Sequence, residues 1–147
     1  MLLLAFPISY NQGDLYVTSG TALYLYNEGS MSRFILKKTL YEDTSGVKTA
    51  QNMLITLAMD GTLLSTLTDP QLVGPKGLHV TPTGQVLVCG IRSHTVIQVD
   101  REGKKKMATL ASEKDGISYP VSICYNTNSH HIIVGVYANP KIIVMEL

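Results

Sequence analysis

Pro75-Lys76-Gly77-Leu78-His79-Val80 returns in outline, 45 residues further on, as Pro120-Val121-Ser122-Ile123-Cys124-Tyr125. Val86-Leu87-Val88 is matched in the same way by Ile132-Ile133-Val134, and Val96-Ile97-Gln98-Val99 by Ile142-Ile143-Val144-Met145, at an offset of 46. Each block is a short β-branched or Leu-rich run bounded by Gly, Pro, Asn or Asp, which predicts a strand. Several short strands per unit, repeating at this period, are the signature of propeller blades. Such a fold is a binding scaffold and does not by itself name a ligand.

The remaining strands are read outward from this repeat. Thr95–Asp100, the turn Arg101-Glu102-Gly103 and Lys106–Leu110 make a hairpin pattern. Met53–Leu57, Asp60-Gly61 and Leu63–Leu67 repeat it, as do Ala22–Tyr26, Glu28-Gly29 and Phe34–Lys38. Phe6–Tyr10 and Leu15–Val17 add a pair at the chain start. With the strands of a blade called A to D, the chain reads ABCD, CD, ABCD and ABC. The expected fold is therefore all-β: an open, partial propeller of three to four four-stranded antiparallel blades. A single domain over 1–147 would hold blades at about 1–40, 53–67 (incomplete), 75–110 and 120–147.

The second unit lacks room for its A and B strands. Only thirteen residues separate Leu40 from Leu54, and they are polar without alternation, so Tyr41 to Gln51 is expected to be irregular. A natural long connection would explain this; loss of a segment of roughly 15 to 18 residues is favoured, judged against the 20–50-residue periods of such repeats. The last unit stops after Ile142–Met145, so a three-stranded final blade is expected, without pairing of Met1–Ala5 to Ile142–Glu146.

Composition suits one small β core: 147 residues, 45% hydrophobic and 16% charged. A net charge of +1 gives no general attraction to nucleic acid or anionic membranes. Met1–Phe6 lacks the basic start and cleavage site of a signal peptide and is read as a buried strand. No run approaches the roughly 20 apolar residues of a membrane span. Cys89 and Cys124 lie inside strand patterns and are read as small core residues; an inter-blade disulfide is conceivable, but an intracellular setting is favoured.

Pro75–Val80, Gly84–Val88 and Val96–Asp100 together resemble one NHL repeat, and Met53 to Leu147 is similar to the C-terminal propeller of TRIM-NHL proteins, the tripartite-motif ubiquitin ligases. That resemblance implies a six-bladed ring, of which thirteen strands are little more than half. The family's RING, B-box and coiled-coil segments have no counterpart in these residues. Two cysteines and four histidines cannot supply two interleaved zinc sites, so ligase activity is not expected of this chain.

The chemical inventory is short. Neither a Gly-x-Ser-x-Gly elbow nor a phosphate loop occurs. His130-His131 would point to opposite faces of a strand, so no metal site is expected there. His79 is read as a hydrogen-bonded structural histidine. No catalytic residue, cofactor or metal is assigned; a calcium-dependent lactonase, which shares the general fold, is the enzymatic alternative. Lys104-Lys105-Lys106 lies on a C–D hairpin beside Glu102 with no aromatic residue interleaved, and is read as a solvated hairpin rather than an RNA contact.

The resemblance places ligands on the opposite end, built from B–C and D–A loops. The candidate binding residues there are Arg92, Ser93, His94, Asn139 and Lys141. The expected function is a non-enzymatic, cytoplasmic protein-interaction module with a protein or peptide partner. An RNA-binding propeller and a fragment without independent function are the alternatives. Open blade faces, at Phe6, Ile8, Leu15 and Val17 and at Ile123, Ile132 and Val134, are expected to drive self-association.

Overall fold

A computed structural model describes the backbone of residues 2–4, 8–11, 14–19, 22–29, 33–42, 52–57 and 62–147, and the side chains of 52–56 and 62–147. Among these residues the chain is all-β, with a 3-10 turn at Glu113–Asp115. The strands are β1 (Leu2–Leu4), β2 (Ile8–Asn11), β3 (Asp14–Ser19), β4 (Ala22–Gly29), β5 (Arg33–Glu42), β6 (Met53–Leu57), β7 (Leu63–Thr68), β8 (Pro75–Val80), β9 (Val86–Gly90), β10 (Thr95–Val99), β11 (Lys106–Ala111), β12 (Pro120–Asn126), β13 (His131–Val136) and β14 (Ile142–Glu146). They form four antiparallel sheets, ordered β2-β3-β4-β5, β1-β6-β7, β8-β9-β10-β11 and β12-β13-β14. We call these the first to fourth sheets, in that order.

Three findings differ from the sequence expectation. The incomplete second sheet has a third strand, because Leu2–Leu4 pairs with β6 in the register Leu2↔Leu57, Leu3↔Thr56 and Leu4↔Ile55. This apolar run lies beside β6 on the side away from β7, the B position of the sheet. Tyr41 and Glu42 continue β5, paired through Leu23↔Tyr41 and Ala22↔Glu42, instead of starting a loop. The rest of the expected irregular segment, 43–51, lies outside the described residues. Third, the apolar side chains left open on the fourth sheet are not Ile123, Ile132 and Val134, which are buried. The counterparts expected in the first sheet, and Phe6, also lie outside the described side chains.

The reason lies in the two-residue period of a strand. All of β9 is buried, and its side chains divide between two cores. Val86 and Val88, with Ile97 and Val99 of β10, meet Leu54, Leu67 and Leu72 from the second-sheet side. Leu87 and Cys89, with Val96, meet Ile117, Ile123, Ile132 and Val134 from the fourth-sheet side. A strand covered on both faces reads as a continuous apolar run, as this one does. Each fully buried Val, Leu or Ile contributes about 1.5–3 kcal/mol relative to exposure. Ile123, Ile132 and Val134 therefore point back at the third sheet.

Cys89 belongs to this core, where burial pushes its thiol up to about 12. Cys124 does not; it is exposed on the far side of the fourth sheet, and both cysteines are free. The inner strands β8 and β12 approach closely at Gly77, where a Cβ would come within 2.7 Å of Ser122 Cα. Among the described residues the fourth sheet is three-stranded, and β1 lies on β6 and not on β14.

Candidate functional site

Strand direction alternates within a blade, so the B–C turns and the D–A connections share one end of each sheet. On this end the third sheet presents 91–94, between β9 and β10, and the fourth presents 137–141, between β13 and β14. Between them runs the D–A connection 112–119, and 69–74 leads into β8. All five sequence-predicted binding residues lie here: Arg92, Ser93 and His94 in one B–C turn, Asn139 and Lys141 in the next.

Their surroundings set them apart. The 91–94 turn is stitched to the preceding connection: Ile91 N donates to Gly74 O and Arg92 N to Val73 O, both at 3.0 Å. Ser93 Oγ accepts from Val73 N at 3.1 Å and lies 3.1 Å from the Gln71 carbonyl, which also receives the Thr95 hydroxyl. Ser93 is therefore engaged in holding the turn. Asn139 Oδ1 accepts from Lys141 N at 3.0 Å, closing an Asx turn that shapes its own loop. The Arg92 and Lys141 side chains are exposed.

His94 reaches sideways. Its Nδ1 accepts from Tyr119 N at 3.1 Å, which places the ring proton on Nε2. The two rings meet edge to face, with centroids 4.4 Å apart. Tyr119 O in turn accepts from Tyr137 N at 2.9 Å. Tyr119 thus links the B–C turn of the third sheet to that of the fourth through its own main chain. Tyr119 is 49% and Tyr137 68% exposed, so both rings are open to a ligand.

Sequence reasoning missed these two tyrosines, although the repeat carries the signal. Tyr119 precedes Pro120 as Gly74 precedes Pro75, and both residues have positive φ, +47° and +63°. Glycine adopts this conformation without steric cost. An aromatic residue there is strained by about 1–3 kcal/mol, and such strain gathers at binding and catalytic sites. His94 and Ala138, in the flanking turns, are also left-handed, with φ +53° and +51°.

The basic run is divided by its neighbours. Lys104 N and Lys105 N both donate to Asp100 Oδ1, at 2.7 and 3.1 Å, with their side chains exposed. Lys106 instead turns toward the preceding connection, with Nζ 3.3 Å from Asp69 Oδ1 and 2.6 Å from Gln71 Oε1. It is not part of the solvated stripe the sequence suggests. His79 is half-buried, and burial holds its ring below the ordinary histidine range. The hydrogen bond expected of it is not found among the described residues. His130 sits at the far hairpin, with Nδ1 2.9 Å from Tyr125 Oη. Among the described residues no three His, Cys, Asp or Glu side chains group as metal ligands, and no helix is long and apolar enough to cross a membrane.

No protein-family model and no curated protein matches the chain. Solved structures do. A streptogramin B lyase overlays with a TM-score of 0.56 at 14% identity, over 97% of this chain and 54% of that one. A catalytically inactive virginiamycin B lyase from Staphylococcus aureus, with quinupristin, gives 0.59 at 13% identity, over 97% and 55%. The WD40 β-propeller domain of Doa1 gives 0.56 at 16%, over 95% and 52%. The fold is a β-propeller. At these identities the likeness is one of architecture, and the chain spans about half the length of the structures it matches.

Proposed function

We propose that the chain is a non-enzymatic binding module that takes a protein or peptide partner on the end formed by its B–C turns and D–A connections, as expected of an NHL-type propeller. The observation that carries this reading is Tyr119. A strained, half-exposed aromatic residue occupies the place where the neighbouring repeat has Gly74, and it joins two turns bearing Arg92, His94, Tyr137 and Lys141. Tyrosine and arginine are enriched among the residues that dominate protein interfaces. Ser93 and Asn139 support the turns, while Arg92, His94 and Lys141 form the polar surround.

RNA is the second reading. The exposed Tyr119 and Tyr137 rings beside Arg92 and Lys141 supply stacking surfaces that the lysine run lacks. Parallel selections from a random peptide library and a random RNA pool test the two. Enriched peptides whose binding falls about thirtyfold or more in Tyr137→Ala, the effect of losing a hot-spot residue, support the proposal. Enrichment of RNA alone, with affinity that drops steeply with salt, replaces it with the second reading. No enrichment in either pool overturns both.

A further inference from the structure

The far side of the fourth sheet is built as a blade-to-blade face. Its residues form three cross-strand rows, and two of them, Cys124–Ile133–Val144 and Ser122–Gly135–Ile142, carry no charge; the third, Asn126–His131–Glu146, closes one end of the face with a carboxylate. At the repeat offset Ile133 corresponds to Leu87 and Ile142 to Val96, both fully buried where the third sheet meets the fourth. Val144 stands where the third sheet has the half-buried Gln98, so this copy is the more apolar of the two. Yet Ile142 is 64% and Val144 53% exposed. The opposite face of the same strands, Ile123–Val134–Ile143 and Tyr125–Ile132–Met145, is already packed on the third sheet.

We propose that a second copy of this chain covers this face. Two observations select that occupant. Position by position the face repeats one that is covered by another sheet of the same repeat, so a propeller sheet is the shape it fits. The chain also overlays 95–97% of its own length on 52–55% of propeller structures, so two copies hold about one ring's length of chain. The outer edge of β14, which has no fourth strand beside it among the described residues, lies at the rim of the same contact.

Light scattering across a dilution series of the 147-residue chain tests the proposal, together with the alkylation rate of Cys124. The expected result is a particle of twice 16.1 kDa that dissociates on dilution, with Cys124 alkylated more slowly as the dimer fills. Ile142→Lys and Val144→Lys alter exposed positions and should each weaken dimerisation by about tenfold or more, since a charge is costly to bury. Leu64→Lys, at a comparably exposed apolar position on β7, should leave it unchanged. A monomer at every concentration with Cys124 freely reactive overturns the proposal. So does a dimer indifferent to Ile142→Lys and Val144→Lys, or open-ended association in place of a dimer. Cys124 protection in the unaltered chain decides the matter if a variant fails to fold.

Discussion

Gly77 lies against Ser122 so closely that a methyl group on it would stand 2.7 Å from Ser122 Cα and 3.0 Å from Ile123 N. Both contacts are backbone, so neither can swing aside. The inner strands of the third and fourth sheets are seated on one another without an intervening side chain. Gly77→Ala is expected to destabilise the chain by about 1–3 kcal/mol, the usual effect of overpacking, despite alanine's better backbone entropy. A urea titration in which the Gly77→Ala midpoint equals or exceeds that of the parent would contradict this.

Ser93 and Arg92 are adjacent in one turn and should behave oppositely. Ser93→Ala leaves Val73 N without its acceptor and removes a hydroxyl from the Gln71 carbonyl. A loss of about 1–3 kcal/mol is expected for a deserted, part-buried polar group. Arg92→Ala should change stability by under about 0.5 kcal/mol, as surface substitutions do, while weakening any partner bound at this end. Equal unfolding midpoints for the two variants would show that the serine is not what holds the turn.

Thr56 Oγ1 is buried and has no hydrogen-bond partner among the described residues. It faces Gly103 of the neighbouring C–D turn, where a Cβ would run into it. Thr56→Val keeps the shape and removes the unsatisfied hydroxyl, so a gain of about 1 kcal/mol is expected. A lower melting temperature for Thr56→Val would mean the hydroxyl is engaged after all.

Cys89 sets an alkaline limit. Its thiol titrates at about 12 in the folded chain against 9.0 unfolded, because burial disfavours the thiolate. The raised folded value means that the unfolded chain loses this proton first. The stability is fully present below pH 9.0 and declines as pH rises toward 12, by at most about 1.4 kcal/mol per pH unit for this one group. Unfolding free energies measured across that window should fall less steeply in Cys89→Ala than in the parent, whatever constant offset the cavity introduces. Parallel slopes would remove Cys89 as the cause.

The propeller was legible in the sequence because Val86-Leu87-Val88 and Ile132-Ile133-Val134 repeat at a fixed offset and their flanking turns are marked by Gly, Pro and Asn. What escaped was orientation. A continuous apolar run does not reveal which of its members face which neighbour, so Ile132 and Ile133 were indistinguishable until pairing fixed their parity. Cys124 was misplaced for the same reason. The loops carrying Arg92, His94, Asn139 and Lys141 could be located, but their composition could not separate Ser93, which secures a turn, from a side chain offered to a ligand. Tyr119 needed the comparison with Gly74 to stand out, and that comparison depends on knowing φ.

The pairing of Leu3 with Thr56 spans about fifty residues of chain, whereas β8 to β11 and β12 to β14 close on their immediate neighbours in sequence. Local contacts form early and distant ones wait on loop closure. As the chain is synthesised from its N-terminus, Leu2–Leu4 is made before any of the first sheet, yet its partner strand follows only after all of that sheet has emerged. The second sheet is therefore the seam that closes last relative to its own first strand. During that interval the apolar strand Leu2–Leu4 is available to other strand edges, and slower translation would lengthen its exposure.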